Sequence, residues 1–300
     1  MLKRTFLASR VACRILVPRS NPGSRCGFTV LELLTVAGVM SILIAIVLPA
    51  IGTAREAARR MQCVNHLKQI GIALHNYHEV FASFPTGIQW EETHQSAYGW
   101  AVPLLPFLEQ RSVYEQTCRN SILMDPRNDR SRYTSIGLYL CPSDITEPAF
   151  LLSSENRATG DSSPLFELPT ASYIGVFGVH EPDEHDPSCP SEGEGTFLVS
   201  RSIRLADLQR GASNTIIIGE RTMSRVPATW LGVDRLGADS ECRLLGSAIT
   251  SPNCHDCDEC EFDSRHPGGS NFLWADGHVR LVSEDIDSKE YQRMSRRTGD

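Results

Sequence analysis

Phe28–Ile51 reads FTVLELLTVAGVMSILIAIVLPAI, 24 residues with one charge, Glu32. As a helix it rises roughly 36 Å, enough to cross a bilayer with some tilt. Residues 1–27 hold six cations, Lys3, Arg4, Arg10, Arg14, Arg19 and Arg25, and no acid. Cations on that flank predict a cytoplasmic N-terminus, with the bulk of the chain on the other side. An ordinary secretory signal has a shorter apolar core and is cut after it. Here the run is long and Gly27 precedes it. An ionisable group inside a membrane span is costly and usually has a partner and a role, which makes Glu32 the informative residue.

The helical pattern continues beyond the span. No proline falls between Thr53 and Phe81, and Val64, Leu67, Gly71, Leu74, His78 and Phe81 recur at helical spacing among charged neighbours. Pro49 is a candidate kink, and Pro85 ends the pattern. His66, His75 and His78 read as surface or core histidines rather than metal ligands. The expected segments are a leader (1–27), a transmembrane helix (28–51), its exported continuation (52–84) and a globular head (85–300).

Past Pro85 the chain becomes short segments broken by Gly and Pro. Gly99–Gln116 suggests a loop and a short amphipathic helix. Candidate strands are Gly137–Cys141, Ser172–Val179, Gly195–Val199, Asn214–Glu220, Asn271–Ala275 and His278–Val282. The last two flank Asp276-Gly277, a type I′ hairpin signal. The polar stretches Ser153–Pro164 and Glu181–Gly195 read as loops. Together these give an α+β fold: a long N-terminal helix packed on an antiparallel sheet.

Net charge is −7; the leader's six cations account for +6, so residues 28–300 carry −13. An acidic body argues against a nucleic-acid partner. Eight of the ten cysteines follow the leader, and an even number in an exported segment suggests disulfides. Cys254, Cys257 and Cys260 at CxxCxxC spacing, with Cys242 or His255 as a fourth group, fit either disulfides or a zinc or iron–sulfur site. Disulfides are the expectation outside the cytoplasm. Glu220, after the apolar run Ile216–Ile218, reads either as a buried acid paired with Arg221 or Arg265 or, by preference, as a strand end with its carboxylate in water. No Gly-x-Ser-x-Gly, His-Glu-x-x-His or phosphate-binding loop is present, so no enzyme is expected.

Cleavage after Gly27 would make Phe28 the first residue and Glu32 the fifth. This resembles the leader of type IV pilins and type II secretion pseudopilins. The resemblance implies that a prepilin peptidase cuts after Gly27 and methylates the Phe28 amine, and that Glu32 neutralises the amine of a neighbouring pilin-like subunit. Further segments resemble the prepilin-type family with a His-x9-Asp-Gly motif: CVNHLKQIGIALHNY (Cys63–Tyr77), SFPTG (Ser83–Gly87), GWAVPLLPFLEQ (Gly99–Gln110), CPSD (Cys141–Asp144), GASNTIIIGE (Gly211–Glu220) and HPGGSNFLWADG (His266–Gly277). That family has no established detailed function, and the likeness implies no activity. His266 and Asp276 read as structural: Asp276 builds the turn and His266 bonds to a loop backbone. Some related pseudopilins bind calcium in the C-terminal half, for which Asp256, Asp258, Glu259, Glu261 and Asp263 could supply oxygens, but a solvated acidic loop is the preferred reading. No resident cofactor is expected.

The resulting reading is a fibre subunit at the inner membrane. Its alternative is an anchored exported binding protein that forms no fibre.

Overall fold

A computed structural model describes residues 27–144, 147–155, 162–183, 193–254 and 257–299. The leader expectation on residues 1–26, with Cys13 and Cys26, lies outside the described residues, as do His255, Asp256 and most of the 181–195 segment.

The apolar run opens helix α1 (Val30–Phe81), which continues through Pro49. Its N-terminus is a capping box: Glu32 N donates to Thr29 Oγ1 (3.2 Å) and Thr29 N to Glu32 Oε2 (2.9 Å). The chain divides into two compact units, one through Ile51 and one from Gly52. In the first, every described residue is exposed, and the helix is long and apolar enough to cross a membrane.

In the second unit α1 buries Cys63, Leu67, Ile70, Gly71, Ala73 and Leu74, a stripe at helical spacing. Phe81, expected on this stripe, is exposed, and stacks on Tyr77 with ring centroids 4.4 Å apart. The helix stops there because Ala82 takes a left-handed conformation (φ 56°), its N–H donating to His78 O at 2.8 Å.

The head follows as β1 (Ile88–Trp90), β2 (Ser96–Gly99), a 3₁₀ turn (Val102–Leu108), α2 (Arg111–Gln116), α3 (Asp129–Arg132), β3 (Ala149–Glu155), β4 (Ser162–Ala171), β5 (Tyr173–Gly178), β6 (Ile216–Glu220), β7 (Ala228–Thr229), β8 (Gly232–Asp234), β9 (Leu245–Ser247), β10 (Gly269–Trp274), β11 (Val279–Ser283) and α4 (Ser288–Ser295). The strands form one five-stranded sheet, β11-β10-β6-β5-β9, and two three-stranded sheets, β1-β2-β8 and β3-β4-β7. All these pairings are antiparallel except β5 with β9. The expected α+β architecture is therefore present.

Strand β10 is buried along its whole length because both its faces are covered. On one face Leu273 meets Gly71 of α1; on the other, Phe272 packs edge-on against Tyr291 of α4, ring centroids 5.7 Å apart. Asp287 starts α4 by accepting from Lys289 N and Glu290 N, both at 3.1 Å.

Several local expectations are corrected. Gly137–Tyr139 is a 3₁₀ turn, with Tyr139 N donating to Ile136 O, because the buried Tyr139 turns inward to donate to Ala101 O (3.1 Å). Gly195–Val199 forms no ladder strand. It crosses β5 so closely that a Cβ on Gly195 would lie 2.3 Å from Val176 O. The described parts of Ser153–Pro164, residues 153–155 and 162–164, are strand, since β3 pairs with β4; Leu152 and Phe166 are buried, while Ser162 and Ser163 are exposed. The Asp276-Gly277 turn is not type I′, which needs positive φ at both central residues. Only Gly277 has it (φ 90°); Gly277 N donates to Trp274 O and Trp274 N to His278 O, a three-residue loop with a glycine bulge. Asp276 accepts there from His278 N at 3.1 Å.

Candidate functional site

Three separate places carry unusual chemistry. At the start of α1, Gly27 and Phe28 are exposed, and Glu32 has its capping partner Thr29 within its own chain.

The second is the C-terminal cysteine loop. The four cysteines pair as Cys242–Cys260 and Cys254–Cys257. Arg221, 1% exposed, braces the first bridge: its guanidinium donates to the carbonyls of Cys242, Cys260 and Glu261. Burial lowers this guanidinium to about 9. The acids near the loop have protein partners: Glu261 accepts from Thr250 N (2.8 Å), Asp258 from Cys260 N (2.7 Å) and Asp263 from Thr222 Oγ1 (2.8 Å).

The third lies beneath the helix. Cys63 of α1, Cys141 after the 3₁₀ turn, Glu220 at the end of β6 and His266 before β10 are all buried, and their donor atoms lie within 4.8 Å of one another. Each comes from a different segment among those that carry the family resemblance. His266 Nδ1 is 2.7 Å from Glu56 Oε1. Its Nε2 is 3.5 Å from both Cys141 Sγ and Glu220 Oε1. Glu220 Oε2 accepts from Ser264 Oγ (2.8 Å) and Asn271 N (2.9 Å), and Oε1 from Asn271 Nδ2 (3.0 Å). Ser143 Oγ donates to Glu56 Oε1 at 3.0 Å.

The electrostatics follow from this crowding. Burial alone would lower the His266 imidazole, but Cys141 and Glu220 beside it push it up to about 10. Contact with Cys63 and burial push the Cys141 thiol up. Burial raises the Tyr173 phenol, with Cys63 and Glu220 adding to it. The Tyr173 hydroxyl is buried beside Cys63.

His266 and Asp276, read together as one motif, engage different partners: His266 takes Glu56, Asp276 takes His278. His266 bonds to a carboxylate rather than to a loop backbone. Glu220 sits inside, not in water, and neither suggested arginine holds it, since Arg265 pairs with Asp144 at 2.9 Å. Of the helix histidines, His66 faces Leu140 O (3.1 Å) and His78 accepts from Leu205 N (3.2 Å). Sequence reasoning gives no role to Glu56, Tyr173 or Asn271, and it counts Cys63 and Cys141 among the cysteines expected in disulfides, whereas both are free thiols.

A family model described as a protein of unknown function, DUF1559, matches residues 52–289. No curated protein and no solved structure matches the chain.

Proposed function

Given that the chain belongs to the DUF1559 family, we propose that it is a pilin-like structural subunit of a type II secretion or type IV pilus-like fibre, anchored in the inner membrane by α1. A prepilin peptidase removes the leader after Gly27, and the new Phe28 amine meets Glu32 of a neighbouring subunit. The N-terminus faces the cytoplasm and the head is exported, a placement supported by the leader's cations and by the two disulfides. The role is structural, and no catalytic set is assigned.

The observation that carries this reading is the run from Gly27 to Ile51: fully exposed, apolar, with one carboxylate in its first turn. Apolar exposure on that scale needs lipid or other helices to cover it. The test is the mass of the N-terminal peptide of the membrane-isolated protein. A peptide beginning at Phe28 with one added methyl group supports processing; an uncut leader or a cut after residue 50 sinks the pilin reading.

One feature favours the alternative, an anchored exported binding protein without a fibre. The Thr29–Glu32 capping box gives Glu32 a partner in its own chain. Glu32→Ala separates the two. A fibre subunit loses incorporation with its head folded, whereas a lone receptor keeps its membrane level and its binding.

A further inference from the structure

We propose that Cys63, Cys141, Glu220 and His266 bind one zinc ion, a closed structural site that ties α1 to the five-stranded sheet.

The donor set comes first. Two sulfurs, one imidazole nitrogen and one carboxylate oxygen suit zinc and disfavour calcium or magnesium, which take oxygen ligands. The geometry follows. Zinc bonds of about 2.0–2.3 Å at tetrahedral angles set its ligands roughly 3.3–3.8 Å apart. Nε2 of His266 stands 3.5 Å from Cys141 Sγ and 3.5 Å from Glu220 Oε1. The Glu220 spacing is long for an N–H···O bond, whose usual range ends near 3.2 Å, while the Cys141 spacing is ordinary for a contact to sulfur. They match the edges of a zinc tetrahedron.

The outer shell is built as well. A ligating histidine usually gives its other ring N–H to a carboxylate, which fixes the tautomer. Glu56 stands 2.7 Å from Nδ1 and directs Nε2 inward. Ser264 and Asn271 hold Glu220 from behind. Tyr173, 1% exposed, sets its buried hydroxyl beside Cys63. That hydroxyl faces a stronger acceptor once Cys63 is a thiolate. The other four head cysteines named above are consumed in disulfides, while Cys63 and Cys141 remain unbonded. Four protein donors leave no open position, so the ion is structural and not catalytic. Its effect is mechanical: it joins the helix that carries the membrane segment to the centre of the sheet.

The test uses the full chain in detergent, purified without chelator. Mass spectrometry of its metal content should give one zinc per chain. The stripped chain should take up Co2+ with thiolate charge-transfer absorption and the intense visible bands of a tetrahedral site. Cys141→Ser should abolish both signals. Because Cys141 is a core position, Glu56→Gln supplies a second arm: Glu56 is partly exposed and, of the four ligands, bonds only to His266, at Nδ1. It should weaken zinc binding 10–100-fold with unchanged circular dichroism. Cys254→Ser/Cys257→Ser should retain full zinc content. A Cys63–Cys141 disulfide in a non-reduced digest would overturn the proposal. So would a chain that binds neither ion, or a cobalt spectrum indifferent to Cys141→Ser.

Discussion

A contact sensitive to a single added carbon is Gly71, where α1 crosses the β10–β11 hairpin. A Cβ there would stand 3.0 Å from Leu273 Cδ1 and 3.6 Å from Gly277 Cα. Two effects oppose each other in Gly71→Ala. Helix propensity favours alanine by about 1 kcal/mol. Against it, Leu273 must retreat by a few tenths of an ångström, and it is 0% exposed, packed between helix and sheet. Overpacking of a filled core costs about 1–3 kcal/mol. The expected net result is a loss of about 1 kcal/mol. Gly71→Val adds two methyl groups and a stiff branch, and on the Gly277 side the obstacle is backbone, which cannot rotate away. Its expected loss is about 3 kcal/mol. Neighbouring Ile72, 62% exposed, is the control, and Ile72→Ala should stay within about 0.5 kcal/mol. Urea unfolding of the detergent-solubilised, disulfide-intact chain, followed by tryptophan fluorescence, reads all three. Trp274 lies on β10 itself and reports the hairpin. If Gly71→Ala stabilises by the full propensity gain and Gly71→Val is tolerated, the helix does not press on the hairpin and the packing argument fails.

Further expectations test the cysteine loop and the acid limb. Arg221→Met should cost about 3 kcal/mol or more, because three buried carbonyls lose a charged donor; Arg221→Lys should not rescue it, since one ammonium cannot span them. Opening Cys242–Cys260, with its separation of 18, by double alanine substitution should cost about 3 kcal/mol, and opening Cys254–Cys257, separation 3, about 2 kcal/mol; equal costs in urea would contradict the loop-length reasoning. Burial alone would raise the Glu91 carboxyl, yet bonds from Thr93, Gln95 and Ser96 hold it down to about 2. A group lowered on folding stabilises fully above its unfolded value of 4.5 and loses that contribution as pH falls toward 2. Glu91→Gln should therefore flatten the loss of stability between pH 5 and pH 2, and an unaltered acid limb would show that these bonds contribute nothing.

What could be read from sequence divides along the range of the interactions involved. The helix was legible because its signal is periodic: Leu67, Gly71 and Leu74 repeat within a few turns. Even so, the buried stripe runs from Cys63 to Leu74 and does not reach Phe81. The Thr29-x-x-Glu32 cap is also a local pattern, and it uses the same carboxylate that the membrane setting marks as an assembly residue. The β10–β11 hairpin was found from Asp276-Gly277, while its turn type was not, since Asp276 keeps a negative φ while its carboxylate binds His278. β3 and β4 are hidden because their paired ends, Ser153-Ser154 and Ser162-Ser163, have loop-like composition.

Glu220 shows why the buried cluster was illegible. An acid at the end of Ile216–Ile218 looks like a strand end in water, and nothing adjacent contradicts that. β6, however, lies between β10 and β5, so its end is central to the sheet, and Glu220 meets Ser264, His266 and Asn271 from a distant part of the chain. Cys63 and Cys141 arrive from two further elements. A spacing motif such as CxxC can announce a site only when one loop supplies the ligands. Here each element supplies a single donor, so the spacing between donors is set by strand order and helix docking. The same topology makes the cluster a mechanical joint. If its four donors share an ion, unfolding the helix from the sheet must also dismantle the coordination, whereas the loop disulfides restrain only the loop that contains them.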